Sequence, residues 1–86
     1  MLRPTKANLA RLEDIFAQSD FVLRYEKGNF KSGYCVLKSQ NVIVVNKYYA
    51  LEGKISCLTT ILNSLDMDFS KLNDESRKLL ETIKED

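Results

Sequence analysis

Three short segments with β-strand character, all between residues 20 and 47, most limit what this chain can fold into. "FVLRYEK" alternates apolar and polar side chains, "YCVLK" follows it, and "VIVVN" is rich in β-branched residues. The connections "GNFKSG" and "SQN" are short. Because parallel neighbours need a crossover of about a dozen residues or more, we predict an antiparallel meander. Its strands cover about residues 20–27, 33–38 and 42–47.

Helical periodicity lies on both sides of these strands. The first apolar stripe predicts a helix over about residues 5–18, and it consists of Leu9, Leu12, Ile15 and Phe16. The second stripe steps by four and three residues and predicts a helix over about 50–65; it consists of Leu51, Ile55, Leu58, Leu62 and Leu65. A weaker stripe predicts a last helix over about 73–84, with Asn73 as its N-cap.

These elements form one domain, residues 1–86, because a chain of this length has no room for a second core. The predicted fold class is α+β. Its order is helix, three-stranded antiparallel meander, helix, helix, and the helices pack on one sheet face. The other face is then left to solvent or to a partner.

Composition argues against most kinds of enzyme. The chain has no histidine, so it has neither a Ser–His or Cys–His nucleophile pair nor the usual general base near neutral pH. Its two cysteines, Cys35 and Cys57, are too few for a disulfide scaffold or a zinc tetrad. We therefore expect no enzymatic activity, no cofactor and no metal. The longest apolar run is far too short to span a bilayer, so we expect no membrane association and a cytoplasmic protein.

The outward-facing side of the sheet is the first candidate site. If Phe21, Leu23 and Tyr25 point to the helices, then Val22 and Arg24 point away, and the charge of Lys38 predicts that the alternate residues of its strand point away as well. Both faces of the third strand are apolar, and an inward Ile43 and Val45 would leave Val42 and Val44 outside. The interface candidates are Val22, Arg24, Tyr34, Val36, Lys38, Val42 and Val44.

An apolar patch of this kind, with a tyrosine and an arginine, is typical of protein interfaces. We therefore predict a small intracellular interaction or regulatory module that self-associates through its sheet as a homodimer or docks another protein. The alternative for this face is that the last helix folds over it and buries it. A more remote alternative is a small-molecule pocket between the sheet and the second helix, beside the two cysteines.

Charge supports a second candidate function, the binding of RNA or single-stranded nucleic acid. Residues 21–49 carry five basic groups and one acidic group, whereas residues 66–86 carry four basic and seven acidic groups. Basic side chains contact phosphates and exposed aromatic rings stack on bases, and the residues with these properties are Lys27, Lys31, Tyr34, Lys47 and Tyr48. The net charge of only +1 favours instead an acidic tail that neutralises the basic hairpin.

Three stretches carry a resemblance to other proteins: "RYEKGNFKSGYC", then "VIVVNK", then "LEGKI". In this combination the chain resembles short bacterial proteins that have no assigned function. The resemblance covers about residues 9–65 and implies neither a site nor an activity.

Overall fold

The computed structural model describes residues 2–27, 33–65 and 69–85 of the chain. Within these ranges the α-helices are α1 (Lys6–Ala17), α2 (Leu51–Ser64) and α3 (Asp74–Glu85), and the strands are β1 (Val22–Glu26), β2 (Tyr34–Leu37) and β3 (Val42–Asn46). A short 3-10 helix, Lys38–Gln40, lies between β2 and β3. The α+β class is confirmed. Among the described residues, no helix is both long and apolar enough to pass through a bilayer.

The three strands form a mixed sheet in the order β1-β3-β2, so the predicted antiparallel meander is wrong. The central strand β3 is parallel to β1, from Val22 opposite Val42 to Glu26 opposite Asn46, and antiparallel to β2. The crossover rule failed because it was applied only to strands adjacent in sequence. Here β2 belongs to the connection between β1 and β3, and residues 27–41 are long enough for a parallel crossover.

The core lies between the helices and one face of the sheet, which we call the inner face. Its fully buried members come from α1, α2 and β3, including Phe16, Ile43 and Val45. Four partly buried strand residues pack against them from the flanking strands: Leu23, Tyr25, Tyr34 and Val36. The burial of these apolar side chains is the main favourable contribution to the free energy of folding.

Helix α3 packs against α1 and α2 and adds Leu79, Leu80 and Ile83 to the same core. The Asn73 side chain accepts a hydrogen bond of 2.9 Å from the Ser76 N–H, which confirms the predicted N-cap. Because its apolar residues belong to the core on the inner side, α3 does not bury the opposite sheet face. The alternative in which the last helix covers that face is therefore wrong.

The Gln18 side chain joins the end of α1 to the start of α3. Its Nε2 group donates to the Ser76 hydroxyl at 2.8 Å, and its Oε1 atom accepts from the Asn73 N–H at 2.7 Å. Ser76 is almost fully buried, and this hydrogen bond satisfies its hydroxyl. One amide side chain therefore orients α3 on the helical layer.

Tyr49, which precedes α2, packs between two glycines. A Cβ atom on Gly33 would lie 2.4 Å from the Tyr49 ring, and one on Gly53 would lie 2.9 Å from the Cδ2 atom. Gly33, directly before β2, also has a φ of +81°, a conformation that glycine adopts without a steric penalty. Gly53 in the first turn of α2 is thus explained by the ring that it accommodates. The other loop glycine, Gly28, lies outside the described residues.

Candidate interaction site

The register of the sheet decides which residues lie on its second face, which we call the outer face. Residues paired across neighbouring strands point to the same side. Tyr34 pairs with Val45 and Val36 pairs with Ile43, so both point inward to the core. Their prediction as outward-facing interface residues is wrong.

The error came from Lys38. We took its charge as evidence for the direction of the strand residues two and four positions before it. Strand β2 ends at Leu37, and Lys38 begins the 3-10 helix instead. Side-chain direction alternates only within a strand, so a residue outside the strand gives no evidence for the direction of the residues in it. Cys35 and Leu37 therefore take the outer positions.

The outer face consists of three rows that cross the strands. The first row is Val22, Val42 and Leu37; the second is Arg24, Val44 and Cys35; the third contains Glu26 and Asn46. The most exposed apolar residues of this face are in the first row, with Val22 at 56% and Leu37 at 39%. Val44, between Arg24 and Cys35 in the second row, is only 7% exposed. An apolar row thus crosses the whole sheet on the side away from the helices.

Two opposite charges lie beside this apolar row on β1. The Arg24 Nε atom is 3.2 Å from the Glu26 Oε2 atom, and both side chains are about half exposed. An exposed ion pair of this kind contributes little to folding stability. Its charges therefore remain available to a partner that presents the opposite arrangement.

The residues proposed for nucleic-acid binding are only partly brought together. Because β1 and β3 are parallel, Lys27 and Lys47 follow their strands at the same end of the sheet. Tyr48 is 67% exposed, and the Lys47 Nζ atom lies 5.2 Å from the centre of its ring. Tyr34 faces the core instead, and Lys31 lies outside the described residues.

A groove of about 420 Å³ runs between α1 and β1, and sequence patterns did not point to it. Its lining residues are Glu13, Ala17, Ser19, Asp20, Phe21, Val22, Leu23 and Tyr25. The Tyr25 hydroxyl donates a hydrogen bond of 2.5 Å to Glu13. Burial, and then the hydrogen bond and charge of Glu13, raise the pKa of Tyr25 well above its ordinary value. The one related feature of the sequence was the alternation in the first strand, which predicted that the Tyr25 side chain points towards the helices.

The two cysteines lie on opposite sides of the sheet. Cys57 belongs to the core, where burial raises the pKa of its thiol, and Cys35 is partly exposed on the outer face. The alternative of a pocket beside both cysteines is therefore wrong. Within the described ranges, no three metal-binding side chains of His, Cys, Asp or Glu come together.

Comparisons with protein-family models, with curated proteins and with solved structures returned no match. The observations that bear on function are therefore the outer face and the end of the sheet where Lys27, Lys47 and Tyr48 lie.

Proposed function

We propose that this chain is a small protein–protein interaction module that associates with itself through its three-stranded sheet. The observation that supports it is the apolar row of Val22, Val42 and Leu37 on the side of the sheet away from the helices. Removal of such a row from water favours association in proportion to its apolar area.

Val22 and Leu37, at the two ends of the apolar row, have the most solvent-exposed surface to bury on association. Leu37 and Val22 are large apolar side chains on the two outer strands, whereas Val44, in the second row on the central strand, is already buried. A lysine at position 44 would therefore disturb the sheet itself. A lysine at position 37 would place its charge in the contact with little change to the monomer.

Size-exclusion chromatography with light scattering tests this proposal. We expect the wild-type chain to form a dimer whose fraction rises with concentration into the high micromolar range. Leu37→Lys lowers that fraction at least about tenfold, because a charge enters an apolar contact. Ala10→Lys adds the same charge at an exposed position of α1 and leaves association unchanged. A wild-type chain that stays monomeric at every concentration contradicts the proposal.

Nucleic-acid binding is a second candidate function, and one observation favours it. Lys27, Lys47 and the exposed Tyr48 follow two neighbouring parallel strands, so two cations and one aromatic ring share an end of the sheet. A single strand of RNA would use the cations for phosphate contacts and the ring for base stacking.

Fluorescence anisotropy with a labelled single-stranded RNA tests the second candidate. Binding at about 50 mM salt should weaken steeply as salt rises, and Lys27→Glu with Lys47→Glu should abolish it. Lys6→Glu with Lys78→Glu changes the net charge equally at exposed helical positions and serves as the control. Absence of binding by the wild-type chain at that salt rejects this function.

A further inference from the structure

Strand β1 has one edge that is not paired with β3. The Val22 N–H donates to the Asn41 carbonyl at 2.8 Å, and the Glu26 carbonyl accepts from the Lys47 N–H at 3.1 Å. Because the direction of main-chain groups alternates along a strand, Leu23 and Tyr25 direct their N–H and C=O groups to the opposite edge. That edge offers a row of donors and acceptors to an added strand.

The groove between α1 and β1 lies along the same edge. Its lining residues include Leu23 and Tyr25 of β1 and Glu13 and Ala17 of α1. An extended segment at this edge would gain main-chain hydrogen bonds from the strand and side-chain contacts from the groove. The occupant is then decided by the charges that flank the edge.

We infer that the occupant is β1 of a second copy of this chain, paired antiparallel about a twofold axis at Tyr25. The inference rests on the proposed self-association of this chain and places the contact at the β1 edge, where the apolar row stays uncovered. Leu37→Lys, on the far strand β2, therefore leaves this edge contact intact. With this axis, each Arg24 lies opposite Glu26 of the second copy. Both residues are on the outer face, where they already carry opposite, solvent-exposed charges.

The other possible axes on β1 are less favourable. An axis at Arg24 sets two arginines directly opposite each other, and an axis at Glu26 does the same with two glutamates; both arrangements are repulsive. An axis at Leu23 sets Arg24 opposite Val22 and forms no ion pair. Of the axes at Leu23, Arg24, Tyr25 and Glu26, only the one at Tyr25 pairs opposite charges on both sides of the twofold.

The charges on the inner face of the added strand favour the same register. Alternation places Lys27 of the second copy opposite Leu23, on the side of the groove. Two acidic residues line that groove: Glu13, which accepts from the Tyr25 hydroxyl, and Asp20, whose Oδ1 atom lies 3.3 Å from the Lys71 Nζ atom. Charge complementarity therefore occurs on both sides of the added strand. The resulting sheet has six strands, and the outer apolar rows of both copies lie on one continuous surface.

Disulfide cross-linking tests the register. Residues directly opposite in a pair without mutual hydrogen bonds have Cα atoms about 4.5 Å apart, within the range of a disulfide. Arg24→Cys chains and Glu26→Cys chains, each in a Cys35→Ser background, should therefore form a covalent heterodimer when they are mixed in a glutathione redox buffer. The mixture keeps one of the two Arg24–Glu26 pairs between the copies, and each chain carries a single new cysteine.

Two further samples in the same background report the competing registers. Arg24→Cys alone reports an axis at Arg24, and a mixture of Val22→Cys chains and Arg24→Cys chains reports an axis at Leu23. We expect both to cross-link at least tenfold more slowly than the first mixture. As a second measurement without cysteines, Arg24→Glu should lower the dimer fraction, and the exchange Arg24→Glu with Glu26→Arg should restore it.

The outcomes separate this inference from the proposed function. If the wild-type chain dimerises but either competing sample cross-links as fast as the mixture of Arg24→Cys and Glu26→Cys chains, the inference is overturned and self-association stands. The same holds if Leu37→Lys removes the dimer and Arg24→Glu does not. If charge exchange fails to restore a dimer that Arg24→Glu has weakened, the inference is overturned as well. If light scattering finds only monomer for the wild-type chain, both fail together.

Discussion

The inner and outer faces of the sheet carry similar side chains but have different environments. On the inner face, Ile43 and Val45 are fully buried beneath the helices. On the outer face, Val22 and Leu37 remain exposed although they are equally apolar. The difference arises because the helices cover one side of the sheet only. The comparison teaches that the position of the helical layer, rather than the type of side chain, decides which apolar residues form the core and which can form a contact.

The largest expected effect comes from two neighbours on β2 that point to opposite faces. Val36→Lys places a charge against the core and should lower the free energy of unfolding by about 3–5 kcal/mol. Leu37→Lys places the same charge on the outer face and should change it by less than about 1 kcal/mol. Urea denaturation of both variants measures the difference. A larger loss for Leu37→Lys than for Val36→Lys would mean that Leu37, and not Val36, points to the core.

A second comparison uses two neighbours on β3. Ile43→Ala leaves a cavity in the core and should cost about 3 kcal/mol of unfolding free energy. Val42→Ala removes a partly exposed side chain from the outer face and should cost about 1 kcal/mol or less. Thermal and urea unfolding measure both values. A monomer in which Val42→Ala costs as much as Ile43→Ala contradicts an open outer face.

The packing of Tyr49 on the inner side gives a third test. In an ordinary helix, Gly→Ala adds stability of about 1 kcal/mol. Gly53→Ala should instead cost about 2 kcal/mol, because the new Cβ atom lies too close to the Tyr49 ring. In a Tyr49→Ala background the same change should stabilise the chain by about 1 kcal/mol. Additive effects in this double-mutant cycle would contradict the packing.

A smaller effect is the change in unfolding free energy with pH that the inner-face residue Tyr25 causes. Its pKa in the folded chain lies above the ordinary value of about 10, so the native state holds the proton more tightly than the unfolded state. The resulting stability is complete below about pH 10 and is lost as the pH rises through the folded pKa.

Tyr25→Phe should cost about 1 kcal/mol at neutral pH and reduce the loss of stability above about pH 10. Tyr48→Phe, at an exposed position, should leave the alkaline loss as in the wild-type chain. The measurement is the free energy of unfolding in urea between pH 8 and 11. An unchanged alkaline profile for Tyr25→Phe would contradict the hydrogen bond with Glu13.

The smallest effect changes reactivity rather than stability. Cys35 on the outer face should react with iodoacetamide faster than Cys57, because burial shields the Cys57 thiol and raises its pKa. Mass spectrometry after timed quenching measures both rates. Cys57 reacting as fast as Cys35 in the native chain would contradict the assignment of the two faces.

Sequence patterns predicted the kinds of element well, because helix and strand leave different periodicities. Helices α1 and α2 lie within the predicted ranges, α3 ends one residue beyond its predicted range, and Asn73 caps α3 as expected. On β1 the alternation is clear, so the outward positions of Val22 and Arg24 were predicted correctly. On β2 the polar residue used to assign the faces lay outside the strand, and Tyr34 and Val36 were assigned to the wrong side.

The sequence by itself determined where helices and strands form, since local periodicity, capping and glycine preferences act over a few residues. Only the tertiary structure decided that β3 is central and pairs in parallel with β1. It also decided which face of β3 is buried, because "VIVV" is apolar on both sides. The physical reason is that strand pairing and burial depend on contacts between distant segments. Alternation places neighbouring residues on opposite faces, but it does not specify which face the helices cover.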